Sequence, residues 1–107
     1  MKWKITFYNE KVEEETLRFP KGILANFIHI AEMIEEFGPG LGKPYTAPMG
    51  DGLFEIRAKG QEGIGRSLYC MVKGKEIIIL NSFIKKSQKT PKKELDLAKK
   101  RMKEVKR

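Results

Sequence analysis

Three consecutive segments with the pattern of β-strands lie between residues 53 and 84, and they constrain the fold more than any other part of the chain. The segments are Leu53–Arg57, Ile64–Lys73 and Glu76–Ile84, which are rich in alternating or β-branched residues. Short links containing glycine separate them, and such links favour antiparallel hairpins. We therefore expect a three-stranded antiparallel unit, followed by the basic loop Lys85–Pro91.

The N-terminal part of the chain has the pattern of one strand followed by two helices. Lys2–Tyr8 alternates apolar and polar residues, which is typical of a half-buried strand. Asn9 is a suitable N-cap for a short acidic helix that runs to about Phe19, and Pro20 fits the first turn of a second helix. The second helix is expected to end at Gly38. Its apolar residues recur at helical spacing at Ile23, Phe27, Ile30, Ile34 and Phe37.

The glycine- and proline-rich residues 38–52 are predicted to form a loop. Gly42 and Lys43 invite comparison with a phosphate-binding P-loop. The comparison fails because Phe37 and Pro44 stand where that motif needs a glycine and a Ser/Thr, and because a helix precedes the loop. We therefore interpret this segment as a connector.

The last segment of the chain has the pattern of a basic helix. Thr90 is the expected N-cap and Pro91 the first residue. A narrow apolar stripe on this helix is expected to dock on the rest of the domain. The face of the sheet that carries Phe54 and Ile56 is expected to lie under helices, with Glu55 on the open face. The sequence thus predicts one α+β domain over residues 1–107: a strand, two helices, three antiparallel strands and a basic C-terminal helix.

The net charge of +8 is concentrated at the C-terminal end. Residues 85–107 contain eleven Lys/Arg and three Asp/Glu, whereas residues 1–84 contain eleven of each sign. Such a basic segment indicates a polyanion or an acidic partner. A solvated helix face with a frayed tail has the same composition and is the structural alternative.

Composition argues against several classes of site. Cys70 is the single cysteine and His29 the single histidine, so a disulfide, a cysteine zinc cluster and a histidine-built metal site are not expected. We expect no metal and no other cofactor. No segment has the apolar length of a membrane span, and the N-terminus lacks a signal-peptide core. A cytoplasmic protein that does not associate with a membrane is the expectation.

Three groups of motifs, in their order, resemble the RelE/HigB toxins of type II toxin–antitoxin systems, and in particular the phage-derived HigB-like branch. They are G-D-G-L-F-E-I-R, then G-R-S-L-Y, then L-N-S-F-I-K-K-S-Q-K-T-P followed by E-L-D-L-A-K-K-R. The resemblance covers nearly the whole chain and implies a four-stranded antiparallel sheet. It also implies cleavage of mRNA in the ribosomal A site and inhibition by a cognate antitoxin encoded beside the toxin. ParE-like relatives act on DNA gyrase, so fold alone does not settle the target.

The resemblance identifies candidate catalytic residues. It matches Arg66 to the family's central phosphate-stabilising arginine, Arg57 to the arginine that closes the preceding strand, and Lys85 and Lys86 to the basic pair after the last strand. Arginine suits phosphate because its planar fork pairs with two oxygens and stays charged. Glu55 stands where the RelE type has a lysine and is a candidate general base, with Lys85 or Lys86 as the acid.

Structural alternatives exist for these residues. Arg66 could instead form a salt bridge, for instance with Glu62, and Glu55 could form an ion pair with Arg57 or across strands. Two further positions depart from the family pattern: Leu95 stands in the region of the RelE tyrosine, and Asn81 stands where HigB-like relatives often have histidine.

Four further residues are candidates for binding RNA. Lys89, Lys92 and Lys93 are cations near the last strand and helix. Tyr69 could stack on a base, although a buried strand tyrosine is the alternative.

These observations lead to two functional hypotheses. The first is a ribosome-dependent mRNA endonuclease toxin that cleaves by attack of the 2′-OH, without metal. The second is a non-catalytic module, either a ParE-like inhibitor of gyrase or a basic RNA-binding protein. In either case we expect a tight antitoxin partner, a small HigA-like helix-turn-helix protein, besides the ribosome and mRNA of the first hypothesis.

Overall fold

The computed structural model describes residues 2–86 and 89–106, which form five strands and three helices. The elements are β1 (Lys4–Phe7), α1 (Glu10–Leu17), α2 (Lys21–Phe37), β2 (Thr46–Gly50), β3 (Leu53–Gly60), β4 (Gly63–Val72), β5 (Glu76–Ile84) and α3 (Lys92–Val105). This order matches the predicted one except for β2, which lies in the segment predicted as a loop. Ser87 and Gln88 of the predicted basic loop lie outside the described residues.

The sheet is mixed, in the order β1-β5-β4-β3-β2. The antiparallel pairing of β3, β4 and β5 is confirmed. The four-stranded antiparallel sheet is wrong at both edges. β1 pairs parallel with β5, which is possible because the helices and strands between them provide a long crossover. β2 pairs antiparallel with β3, and Pro48 within it is compatible with an edge strand, where one side of the backbone needs no partner.

Helices cover both faces of the sheet, and the sheet separates two cores. α1 and α2 cover the face that carries Phe54 and Ile56, as predicted. α3 covers the other face, where Ala98 and Met102 pack against Leu53 and its neighbours. The docking of the apolar stripe of α3 is thus confirmed, and the expectation of an open face around Glu55 is wrong.

A bulge in β5 changes which side chains face α3. Leu68 pairs with Asn81 and Tyr69 pairs with Ile79, so Leu80 has no partner of its own in the ladder. Leu80 packs in the core under α3, and Asn81 donates a hydrogen bond to α3. The extra residue therefore turns two consecutive side chains toward the same helix.

A close backbone approach joins the β3–β4 turn to the start of α2. A Cβ atom on Gly60 would lie 2.6 Å from Gly22 C and from Ile23 N. The Gly22 N–H also donates to Glu62 Oε2 at 2.9 Å. The turn thus supplies a carboxylate to the N-terminus of α2, where Pro20 provides no side-chain cap.

We expect Gly60→Ala to lower the free energy of unfolding by about 1–3 kcal/mol, because the backbone of α2 must move to admit the methyl group. Urea denaturation measures the effect. Gly40→Ala is the matched control, because a Cβ atom there has nothing within 4 Å. The control should change stability by less than about 0.5 kcal/mol. Equal stability of the two variants would contradict the close approach.

Candidate active site

The centre of the site is the carboxylate of Glu55 on β3, which is completely buried. Its two oxygens accept hydrogen bonds from Arg66 Nη1 at 3.0 and 2.9 Å, and Oε1 accepts one from Arg57 Nε at 3.1 Å. The Thr90 hydroxyl donates to Oε2 at 2.8 Å. A buried carboxylate is costly unless it is paired and hydrogen-bonded, and this one is both.

Strand register brings the two arginines together. Arg57 on β3 lies directly opposite Arg66 on β4, and both side chains reach the same carboxylate. Their exposures differ: the side chain of Arg66 is 7% exposed and that of Arg57 is 32% exposed. The two guanidinium groups and one carboxylate leave a net charge of about +1, and Arg57 is the member that solvent reaches.

Thr90 joins the segment before α3 to this cluster. Arg66 Nη1 lies 2.8 Å from the Thr90 hydroxyl, which itself donates to Glu55. The predicted N-cap role of Thr90 is wrong, because Pro91 is the N-cap residue and no side chain caps the helix. The hydroxyl instead accepts from Arg66 and donates to Glu55. Hydrogen bonds to charged groups are stronger than those to a neutral backbone N–H.

A cleft of about 450 Å³ lies between the end of β5 and the start of α3. Its lining residues are Phe83, Ile84, Lys86, Pro91 and Glu94. The cleft adjoins the arginine cluster, because Phe83 is the cross-strand neighbour of Arg66 and Pro91 follows Thr90. Asn81, which is 2% exposed, donates from Nδ2 to Glu94 Oε1 at 2.8 Å.

The predicted cations fall into three groups. Lys86 lines the cleft, and the backbone N–H of Lys85 donates to Ile64 O at 2.8 Å beside the start of β4. Lys89 is exposed next to Thr90. Lys92 and Lys93 are exposed in the first turn of α3, and Lys92 forms an ion pair with Asp96 at 3.1 Å. Arg57, Arg66 and Lys86 are therefore brought to one end of the sheet, and the catalytic roles stay predictions.

The alternative of an Arg66–Glu62 salt bridge is wrong, because Arg66 pairs with Glu55. Glu62 instead accepts the backbone N–H of Gly22, and this hydrogen bond lowers the pKa of its carboxyl. The predicted role of Glu55 as general base conflicts with the geometry. A fully buried carboxylate that already accepts from two arginines and a threonine cannot reach a ribose hydroxyl in this arrangement.

The role of Tyr69 in stacking on a base is also wrong. Its side chain is fully buried on the α1/α2 side of the sheet, away from Arg66, and its hydroxyl donates to Pro39 O at 2.7 Å. Its ring stacks on Phe54, with centroids 5.6 Å apart. Alternation along β4 places consecutive residues on opposite faces, so Tyr69 and Arg66 cannot serve one site.

Reasoning from sequence missed Thr90, Phe83 and Glu94 as site residues. Thr90 was interpreted as a cap, which is the usual role of threonine before a helix. Glu94 was counted only as an acidic residue in a basic helix. One signal in the sequence could have indicated Glu94: Asn81 stands where HigB-like relatives often have histidine. The amide of Asn81 donates a hydrogen bond to Glu94 at the cleft.

Two kinds of feature are absent from the described residues. Within residues 2–86 and 89–106 no group of three or more His, Cys, Asp or Glu side chains is arranged to hold a metal ion. In the same part of the chain no helix is both long enough and apolar enough to span a membrane.

The fold is that of a RelE-like α+β domain. The crystal structure of the archaeal RelE–RelB complex from Pyrococcus horikoshii OT3 contains a chain that superposes with a TM-score of 0.57 and 20% sequence identity. The match covers 78% of this chain and 96% of that one. Comparison with curated proteins found no match.

The model of the family described as "Phage derived protein Gp49-like (DUF891)" matches residues 14–103. The chain therefore belongs to this phage-derived Gp49-like family. Family and fold together confirm the predicted resemblance to the phage-derived, RelE-like group.

The buried ion pair makes a specific prediction about stability. Arg66→Met leaves Glu55 buried without its two-bond partner and should lower the free energy of unfolding by about 3 kcal/mol or more. Glu55→Leu should cost a similar amount, because it leaves the Arg66 guanidinium buried and unpaired. The double variant should recover much of the loss. Urea denaturation of all four proteins gives the coupling, and additive single effects would contradict the shared burial.

Burial raises the pKa of Tyr69 to about 12, from an ordinary value of 10.0. The unfolded chain then loses this proton near pH 10 while the folded protein keeps it until about pH 12. Stability is therefore unaffected by Tyr69 below pH 10, and it falls between these values by up to about 2–3 kcal/mol.

Tyr69→Phe should flatten this part of the pH profile, whereas Tyr45→Phe, which removes an exposed tyrosine, should not. Denaturation between pH 9 and 12 measures the slopes. An unchanged slope in Tyr69→Phe would show that this hydroxyl does not titrate as described.

Proposed function

We propose that this protein is the toxin of a type II toxin–antitoxin system and that it cleaves mRNA on the ribosome. One observation carries the proposal: Arg57 and Arg66, on adjacent strands, share the buried carboxylate of Glu55 beside a cleft that Lys86 lines. Positive charge in excess next to an open cleft is suited to a phosphodiester. Membership of the Gp49-like family and the RelE-like fold support the same class.

The two arginines have different roles in this proposal. Arg57 is the phosphate contact, because about a third of its side chain is exposed while Nε is held by Glu55. Arg66 is a positioning residue: it fixes Glu55, and Glu55 fixes the orientation of Arg57. This assignment reverses the order of importance expected from sequence, in which Arg66 was the main phosphate-binding residue.

Cleavage without metal needs three events at the phosphodiester. The 2′-OH must lose its proton, the pentacoordinate phosphorus must be stabilised, and the 5′-oxygen must gain a proton. Arg57 provides the second, because guanidinium binds two phosphate oxygens. Lys85 or Lys86 provides the proton for the leaving oxygen, and the 2′-OH proton passes to solvent water. The single histidine, His29, lies exposed on α2, on the other side of the sheet from these residues, and does not serve as an acid or base here. Positioning of the RNA on the ribosome is therefore expected to contribute much of the rate.

A protein antitoxin is the proposed regulator. The crystal structure of the RelE relative contains RelB, its partner in that complex. In this chain the exposed side of α3 carries Lys93, Lys100 and Lys103, and we propose that an acidic segment of a small helix-turn-helix antitoxin of HigA type binds there. The complex would act in the cytoplasm, where ribosomes and mRNA are found.

The test is induced expression followed by mapping of the 5′ ends of cellular mRNA. The wild-type protein should arrest growth and produce cuts in phase with codons. Arg57→Ala should reduce cutting by about a hundredfold or more, as expected for loss of a transition-state contact. Arg57 is partly exposed, so this variant is expected to fold, which circular dichroism would check.

Arg18→Ala is the matched control, because Arg18 is an exposed arginine, the C-cap residue of α1, and its contact with Glu14 is 3.9 Å long. It should cut as the wild type does. Codon-phased cutting by a folded Arg57→Ala variant at the wild-type level would contradict the site. Growth arrest with a DNA-damage response and intact mRNA would instead support action on gyrase.

A further inference from the structure

The cleft at the start of α3 combines three kinds of surface. Phe83 provides an aromatic side, Ile84 and Pro91 provide apolar sides, and Lys86 and Glu94 provide one charge of each sign. Its volume of about 450 Å³ lies in the range typical of small-molecule sites. An aromatic surface beside a cation is the usual combination for a base and its phosphate in single-stranded RNA.

The Glu94 carboxylate in this cleft is held by hydrogen bonds from Asn81 on β5. Asn81 Nδ2 donates to Glu94 Oε1 at 2.8 Å and to Glu94 O at 3.3 Å. Asn81 is 2% exposed, so its amide is fixed by packing on β5. A carboxylate that only stabilises the positive end of a helix needs no such partner. A buried amide that fixes both the backbone and the side chain of one residue is typical of a preorganised binding group.

The chemistry of the four RNA bases distinguishes which of them suits a fixed carboxylate. A carboxylate only accepts hydrogen bonds, and each oxygen has two acceptor positions, so the contact with Asn81 leaves capacity on both oxygens. Guanine presents two adjacent donors, N1–H and N2–H, that match the two oxygens. Adenine and cytosine present one amino group next to a ring acceptor, and uracil presents one N–H between two carbonyl oxygens. These acceptors would face the carboxylate unfavourably.

We infer that this cleft is a subsite for one unpaired guanine nucleotide of an RNA strand. Glu94 binds the N1–H and N2–H edge, Phe83 stacks on the base, and Lys86 contacts the phosphate. The inference rests on the proposed function in taking RNA as the ligand, and it gives that function a base preference. The cleaved phosphodiester then lies toward Arg57, which is in register with Phe83 across the sheet, two strands away.

The test is direct binding, which does not require cleavage. The purified protein is titrated with two five-nucleotide RNA strands that differ only in a central G or A, with 2′-O-methyl groups that prevent cutting. Fluorescence anisotropy of an end label gives the dissociation constants. We expect the strand with G to bind about tenfold more tightly, the discrimination typical of a good bidentate contact to a base. 5′-GMP and 5′-AMP as competitors separate recognition of the nucleotide itself from recognition of the strand.

Three variants assign the effect. Glu94→Gln keeps an acceptor for Asn81 but presents one acceptor and one donor, so the ratio between G and A should fall to about one. Phe83→Leu should weaken both strands alike. Asp96→Asn is the matched control: it removes an exposed carboxylate two residues further along the same helix, paired with Lys92, and should keep the tenfold ratio.

Several results would overturn the subsite. They are equal binding of the two strands by the wild type, no binding of either strand, and a preference for G that Glu94→Gln retains. The failure of the proposed function looks different. A protein that discriminates G from A but leaves cellular mRNA intact has the subsite and is not a nuclease. A protein that makes codon-phased cuts but binds the G and A strands equally is a nuclease without the guanine subsite.

Discussion

A single buried carboxylate determines the arrangement of the site. Glu55 is fully buried on the face of the sheet that α3 covers, where an unpaired anion would be strongly destabilising. Two arginines from adjacent strands and the hydroxyl of Thr90 satisfy it together. Each of these groups is consequently restricted in orientation, including Arg57, the one that solvent reaches. The arginines have defined orientations because both pair with the fixed carboxylate of Glu55.

Docking of α3 does more than close the second core. The helix packs Ala98 and Met102 on the sheet, and the segment before it delivers Thr90 to the arginine cluster. Its first turn delivers Glu94 to the buried amide of Asn81. Polar contacts also hold the far end, where Arg101 donates to Leu80 O and lies over the ring of Tyr8. The helix that the sequence predicts to dock and to present lysines is therefore also the element that brings Thr90 and Glu94 to the site.

Charge is divided between the two sides of the sheet. α1 and α2 carry half of the acidic residues, whereas the excess of positive charge lies from the end of β5 through α3. A polyanion approaching this molecule is therefore attracted to the side where the arginines and the cleft lie. Membership of the Gp49-like family and the RelE-like fold support the function proposed above. The cleft also depends on the hydrogen bond between Asn81 and Glu94, which is a contact of this chain itself.

The sequence by itself determined the local elements, because helix and strand patterns depend on the spacing of side chains within one segment. The β3–β4–β5 unit and the stop of α2 at Gly38 both follow from such spacing. Only the tertiary structure decided how the edge strands pair and which charged residues are buried. The parallel pairing of β1, the bulge beside Leu80 and the burial of Glu55 depend on contacts between residues far apart in the chain. A charge pattern does not reveal whether a carboxylate will be solvated or enclosed, since that depends on which helix packs above it.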